Sequence, residues 1–347
     1  MSRIAVVTSS PPMVEGGHMV IARALTRALR DAGHEADVVV TPQNRFGRQA
    51  SAYLATWLTD VGKSGGERID QVISLRYPSY AVRHPHHVCW LNHTMREYYD
   101  LWDRFSVALS PQGRLKENLR RRVLHATDRY LLTKNVSRLF VQSRTIQNRL
   151  RMWPELSSTV LYPPPPQRPY RCDEYGDFIF FVSRLTPLKR ADLFVRALAT
   201  DEGRGVRAVI GGDGEERDRL TALIRELGVD GRVTLAGTLD DSQLVEYLAR
   251  CRAVCFPPLD EDYGFVTAEA FASGKAVLTC HDSGGPAELV KDGVNGAVCD
   301  PSPAALGTAM ARLMADRSEA ERLGAAARAA SDHLKWEEAV KALTALG

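Results

Sequence analysis

No stretch of this 347-residue chain approaches the ~20 consecutive apolar residues that a membrane-spanning helix needs. Cysteine is scarce as well. The six present, at 89, 172, 251, 255, 280 and 299, form no Cys-x-x-Cys pair and no Cys/His cluster with zinc spacing. That excludes a disulfide scaffold and a zinc ribbon, and it suits a reduced, cytoplasmic protein. Net charge is only +3, too little for wholesale nucleic-acid binding. The strand-like run Ile4–Thr8 begins almost at once, so no signal peptide is expected. A Gly-x-Gly-x-x-Gly fingerprint is missing after that run, which argues against a nicotinamide or flavin enzyme.

What the chain does contain is alternation. Short apolar runs are separated by longer segments of helical period, the pattern of a parallel sheet covered by helices. The expected strands of the first half are Ile4–Thr8, Ala36–Val40, Gln71–Leu75, Val88–Leu91, Leu139–Gln142 and Thr159–Tyr162. Four prolines, 163–166, then favour a stiff extended segment. The alternation restarts with Phe178–Ser183, Val206–Ile210, Val233–Leu235, Ala253–Phe256 and Ala276–Thr279, and from Ala304 onward the chain reads as helix. Asp241 and Ser242 are candidate caps for a helix carrying Leu244, Tyr247 and Leu248. The reading is two Rossmann-like α/β domains, 1–162 and 177–330, a proline-rich linker 163–176, and a C-terminal helical segment 331–347 that packs back on the first domain. Two such domains imply facing sheets and a cleft, and open α/β sheets bind ligands beyond the carboxyl ends of their strands.

Three loop segments carry candidate chemistry. Ser183-Arg184-Leu185-Thr186-Pro187-Leu188-Lys189 sets two cations five residues apart beyond an apolar strand. Arginine clamps phosphate oxygens bidentately and lysine adds a flexible point charge, although two solvated surface cations would look the same. Glu261-Asp262-Tyr263-Gly264-Phe265-Val266-Thr267-Ala268-Glu269 follows another strand and opens a helix near Gly264. Free amides and the positive dipole end there suit a pyrophosphate. The carboxylates of Glu261 and Glu269 suit sugar and ribose hydroxyls; the plain alternative is a capping acid and an exposed one. The third is Gly16-Gly17, before the first helix, where glycine permits close approach of a phosphate. Gly211-Gly212-Asp213-Gly214 makes a similar turn, which sterics alone could require.

In this order and spacing, these residues resemble the retaining glycosyltransferases of family four, which have the GT-B fold. The resemblance runs over nearly the whole chain. It takes in Gly33-His34-Glu35, Ala272-Ser273-Gly274, Gly284-Gly285-Pro286-Ala287-Glu288 and Asp292-Gly293-Val294-Asn295-Gly296 as well as the segments above. It implies a hexosyl transfer from a GDP- or UDP-linked sugar to a hydroxyl acceptor. Arg184 and Lys189 would bind the donor pyrophosphate, with Gly16 letting it approach the first domain. Glu269 would hold the ribose, Glu261 the transferred sugar, and the amides of Phe265 and Val266 would assist. The pattern lacks the metal-holding Asp-x-Asp of another glycosyltransferase fold, so Arg184 and Lys189 would stand in for a divalent ion, and no metal and no cofactor are expected. His93, in Asn92-His93-Thr94-Met95-Arg96, looks like the histidine of a mannosyltransferase His-Thr-Pro-x-Arg segment that approaches the donor sugar. Met95 stands where that segment has proline, and Lys275-Ala276 departs from the common x-Pro after Gly274. His84, His86 and His87 read as an exposed loop rather than a metal site. The rival functions are another GT-B nucleotide-sugar enzyme (an epimerase, hydrolase or phosphorylase) and a non-catalytic binding subunit.

The basic segment Arg114–Arg151 allows two readings. Leu115, Leu119, Val123, Ala126 and Tyr130 recur at helical spacing among Lys116, Arg120, Arg121 and Arg122. A basic amphipathic helix lies on anionic lipid; a domain helix turns its apolar stripe into the core and solvates its cations. The second is the expectation here, with peripheral contact at the inner membrane face the alternative.

Overall fold

The computed structural model describes residues 1–13, 16–43 and 47–345. It divides into two compact units, Met1–Pro163 with Trp336–Gly347, and Pro164–Lys335. In the first unit a parallel sheet is built from β1 (Arg3–Ser10), β2 (Glu35–Pro42), β5 (Gln71–Ser74), β6 (His87–Leu91), β7 (Arg138–Val141) and β8 (Thr159–Val160). A two-stranded hairpin, β3 (Lys63–Ser64) with β4 (Glu67–Arg68), precedes β5. The sheet order is β2-β1-β5-β6-β7-β8. Its helices are α1 (Gly17–Asp31), α2 (Gln49–Trp57), α3 (Trp102–Val107), α4 (Pro111–Lys134) and α5 (Arg144–Leu150). α1 buries Ile21, Ala22, Leu25 and Leu29 and stops at Gly33, whose φ of 85° lets the His34 N–H close back on the Leu29 carbonyl at 3.0 Å.

The second unit repeats the plan with β9 (Ile179–Val182), β10 (Ala208–Gly211), β11 (Val233–Gly237), β12 (Ala253–Cys255), β13 (Val277–Cys280) and β14 (Gly296–Cys299). All neighbours are parallel, in the order β11-β10-β9-β12-β13-β14. β9 is Ile-Phe-Phe-Val because both faces of a parallel sheet are covered; Ile179, Phe180 and Phe181 are fully buried. The covering helices are α6 (Ala191–Leu198), α7 (Arg217–Glu226), α8 (Asp241–Arg250), α9 (Phe265–Ala272), α10 (Gly285–Leu289), α11 (Pro303–Ala315) and α12 (Arg317–Ser331). α8 is capped one residue earlier than its sequence suggests: Asp240, not Asp241 or Ser242, accepts from the Gln243 amide, and the Gln243 side chain returns the bond. The last helix, α13 (Trp336–Thr344), belongs to the first unit. Gln71 and Arg138 donate to its final carbonyls, which places a cation at its negative dipole end.

Every strand expected from the sequence is present, with ends shifted by one or two residues. β14 and the β3–β4 hairpin were not anticipated. Residues 163–176, read as a linker, contain no helix or strand, yet all but Pro163 fall within the second unit, fastened there by Asp173, Glu174 and Gly176 amides donating to Ala249 and Arg250 carbonyls. The basic segment takes in most of α4 together with β7 and α5. The apolar stripe of α4 does not face the core. Leu115, Leu119, Val123 and Tyr130 are 75%, 65%, 59% and 58% exposed, while Glu117, Leu124, Asp128, Leu131 and Leu132 are buried. Polar anchors set this rotation. The buried Asp128 carboxylate accepts hydrogen bonds from the hydroxyls of Tyr53, Tyr80 and Tyr99, and Glu117 accepts from Tyr98 at 2.7 Å. Among the described residues no helix is long and apolar enough to cross a membrane.

Candidate active site

The second unit's strand order reverses between β9 and β12, and the loops leaving those two strands flank the crevice where doubly wound sheets take ligands. The loop after β9 is clamped from one side by the turn after β10. Ser183 donates to the Gly211 carbonyl at 3.1 Å, Leu185 to the Asp213 carbonyl at 2.9 Å, and Glu216 to the Leu185 carbonyl at 3.1 Å. A Cβ on Gly212 would stand 1.9 Å from the Ser183 oxygen, and one on Gly214 2.4 Å from the Leu185 oxygen. These glycines are required by that backbone approach. Arg184 is held exposed on the clamped loop, and a 3-10 turn, Pro187–Lys189, carries Lys189.

Arg190, which closes this turn in the left-handed region at φ 52°, fixes the other side. Its guanidinium donates to the Pro257 and Pro258 carbonyls at 2.6 and 2.8 Å and takes both oxygens of Asp282 at 2.8 and 2.6 Å. One side chain thereby ties the loops after β9, β12 and β13 together. Lys189 Nζ lies 2.5 Å from Glu261 Oε2 and 5.7 Å from the centre of the Phe256 ring. Glu261 is set in turn by backbone: its N–H donates to the Ser283 carbonyl, and its carbonyl accepts from Gly285. Gly284, at φ 68°, permits this, since a Cβ there would be 2.4 Å from the Glu261 oxygen.

Gly264, at φ 78°, is the residue before α9, and the helix begins at Phe265 without a side-chain cap. The first amides of a helix have no intrahelical acceptor, so those of Phe265 and Val266 are available to an anion. Glu269 lies one turn further in and is buried. It accepts from Arg168 and, at 3.2 Å, from the Tyr170 hydroxyl; Arg168 also reaches Asp241 at 2.8 Å. Burial raises the Glu269 carboxyl above its usual range despite these donors. Burial also works against the Arg168 charge, yet Asp241, Glu269 and Tyr170 hold its guanidinium above the ordinary value.

In the first unit Gly16 is extended, at φ −167°, and precedes α1, which opens at Gly17. That conformation is open to any residue, so only room, not dihedral angle, favours glycine there. His93 follows β6, with Nδ1 2.6 Å from the Thr94 carbonyl and its own carbonyl accepting from the Tyr77 amide. Beside it, Asn92 donates to Gln142 at 3.0 Å across the ends of β6 and β7. The three neighbouring histidines are not one exposed loop. His84 pairs with the Ile69 carbonyl, while His87 is buried in β6 against Ser74 at 2.8 Å, and burial lowers its pKa to about 4.

The structure thus pairs Lys189 directly with Glu261, sets Arg184 on the same loop, and gives Glu269 a separate pair of partners. Gly16, Gly17 and His93 lie in the first unit. Sequence reasoning missed Arg190, Asp282, Arg168 and Tyr170. Asp260-Glu261-Asp262 does have Asp-x-Asp spacing, but no group of three or more His, Cys, Asp or Glu side chains among the described residues could hold a metal ion.

Residues 168–330 match the family described as glycosyl transferases group 1. A D-inositol 3-phosphate glycosyltransferase of Nocardia farcinica is 35% identical over 175 residues, 48% of this chain and 39% of that protein. One from Mycolicibacterium smegmatis is 33% identical over 175 residues, with the same shares. The chain therefore spans about two fifths of the length of the curated relatives it matches. Among solved structures, sucrose-phosphate synthase from Thermosynechococcus elongatus superposes with a TM-score of 0.78 at 19% identity, covering 98% of this chain and 97% of that one. Anabaena HepE in complex with UDP and glucose superposes with a TM-score of 0.70 at 18% identity, covering 99% and 100%. WaaG, a glycosyltransferase of lipopolysaccharide biosynthesis, gives 0.71 at 17% identity, covering 99% and 100%. At these identities the likeness is one of fold.

Proposed function

We propose that this chain, whose residues 168–330 match the glycosyl transferases group 1 family and whose fold is GT-B, moves a hexose from a nucleoside-diphosphate sugar to a hydroxyl acceptor with retention of anomeric configuration. One observation carries the reading: Arg184, Lys189 and Glu261 lie on the two loops that flank the strand-order reversal, with Lys189 and Glu261 in contact and the amide end of α9 closing the second loop. Breaking the anomeric bond leaves negative charge on the departing phosphate. Cations and helix amides fixed beforehand stabilise that charge with little reorganisation. The Lys189–Glu261 pair gives the binding step a physical form. A donor phosphate takes over Lys189, and the released Glu261 carboxylate then accepts from sugar hydroxyls. Glu269, oriented by Arg168 and Tyr170, accepts from the ribose. No carboxylate is proposed as a covalent nucleophile; the acceptor attacks from the face the phosphate leaves, and a phosphate oxygen takes its proton.

The family match, residues 168–330, lies within the second unit, so it supports the donor half and leaves the acceptor to the first. For the sugar, the His93 segment supports mannose, and UDP- and GDP-hexoses are the first donors to try. A thermal-shift screen of GDP-, UDP-, ADP- and TDP-sugars identifies the donor through the stability that binding adds. With that donor, Lys189→Ala and Arg184→Ala should each lower turnover roughly 10²–10³-fold while the protein stays folded. Near-normal turnover in either variant overturns the phosphate assignment.

A further inference from the structure

The outward face of α4 is left over once the fold and the donor site are accounted for. Its exposed residues Leu115, Leu119, Val123, Ala126 and Tyr130 fall within an arc of about 80° on a helix turning ~100° per residue. Exposed Arg122 and Arg129 adjoin one edge of this stripe, and exposed Lys116 and Lys134 the other. Both acids of the helix, Glu117 and Asp128, are turned inward, so every charge on the outer face is positive. Arg129 pairs with Glu155; among the described residues no ion pair takes up Lys116, Arg122 or Lys134. Beside it, Leu54 on α2 and Leu58 just past the end of that helix are also exposed. Between the two helices runs an apolar groove of about 720 Å³, lined by Tyr53, Leu54, Trp57, Val123, Tyr130 and Leu131.

An apolar band this long is uncommon on a surface that meets only water. Its charge selects the occupant. A second copy of the same face would set cation against cation, whereas an anionic bilayer offers negative headgroups to both edges and an acyl boundary to the stripe between them. We propose that this face of the first unit docks on an anionic lipid bilayer, with α4 parallel to the surface, Leu115, Leu119 and Val123 entering the acyl boundary, and the groove beside α2 opening toward the lipid. The proposal stands independently of the glycosyl-transfer reading, and its test needs no substrate.

The test is co-sedimentation of the full chain with vesicles of phosphatidylcholine alone and of phosphatidylcholine mixed with phosphatidylglycerol. Binding is expected only to the mixed vesicles and should weaken as salt rises. The triple variant Lys116→Gln, Arg122→Gln, Lys134→Gln should lower partition on the order of a hundredfold, from the usual contribution of each cation near such a surface. Leu119→Glu with Val123→Glu should lower it roughly tenfold or more. Because all these side chains are exposed, the unfolding temperature should not change, which keeps loss of binding distinct from loss of fold. Three results would overturn the proposal: no sedimentation with either vesicle, equal sedimentation with both, or a solution dimer that Leu119→Glu dissociates, which would show that a second copy covers the face.

Discussion

Arg190 in the second unit and Asp128 in the first are charged groups surrounded by hydrogen bonds, yet the two networks are built on opposite principles. Arg190 is matched by the carboxylate of Asp282 and by two carbonyls, so its charge is balanced where it sits. Asp128 is met by three phenols, and no cation hydrogen-bonds it among the described residues. A balanced fork can join three loops at a working edge and stay charged throughout. Neutral donors satisfy the lone pairs of a buried carboxylate without cancelling its charge, and burial is then felt in the pKa. The first network positions a site; the second fixes which way a helix faces.

The largest effect that would break this contrast is a pH dependence at Asp128. Burial lifts its carboxyl from 3.8 to about 6, against the hydrogen bonds from Tyr53, Tyr80 and Tyr99. Between those pH values the folded state keeps a proton that the unfolded chain has released. Stability contributed by this group is therefore fully present below about pH 4, falls as pH rises toward 6, and stays at the lower level above. A carboxyl raised from 3.8 to about 6 makes this fall about 3 kcal/mol at most. Denaturant unfolding of the wild type and Asp128→Asn across pH 4–7 should show it as a fall in wild-type stability relative to the variant, because His87, whose lowered pKa gives the opposite slope over the same window, is common to both. Equal slopes would mean that the carboxylate is balanced after all and that the contrast with Arg190 is false.

A somewhat smaller effect is expected at Arg190. Arg190→Ala loses the fork to Asp282 and the two carbonyl bonds, costing about 2 kcal/mol in thermal unfolding. The backbone there is left-handed, at φ 52°, which a side chain adopts at a cost of about 1 kcal/mol and glycine adopts freely. Arg190→Gly should accordingly be about 1 kcal/mol more stable than Arg190→Ala. Both should raise the KM for the donor, because Lys189 is the next residue. If Arg190→Ala weakens neither stability nor donor binding, the three loops are held without the fork.

This pair of residues also shows where the sequence stopped being readable. Strands announced themselves through apolar runs, and the ordered loop motifs named Arg184, Lys189, Glu261 and Glu269. Arg190 and Asp282, 92 positions apart, and Arg168 and Glu269, 101 apart, meet only after two strands are laid side by side, and no spacing rule marks them. β14 was missed because Gly296-Ala297-Val298-Cys299 is short and led by glycine. The α4 error has another cause. Periodicity locates an apolar stripe but not the side it turns toward, and here Asp128 and Glu117, residues normally assigned to water, claimed the buried face.

The smallest effect is expected from removing divalent metal. The second unit's site brings its own positive charge, Arg184 and Lys189 on a loop clamped from two sides, together with the amides at the start of α9. If these carry the phosphate charge of the transition state, EDTA should leave transfer within about twofold of the untreated rate. The experiment is informative because Asp260-Glu261-Asp262 has the spacing that holds a metal in another glycosyltransferase fold. In this chain Glu261 is engaged with Lys189, a partner that competes with any cation for the carboxylate. Loss of transfer in EDTA with recovery in magnesium would reverse that ordering. It would make Lys189 the partner of Glu261 alone, assign the phosphate to a bound ion, and turn Asp260→Ala and Asp262→Ala into the substitutions that decide the mechanism.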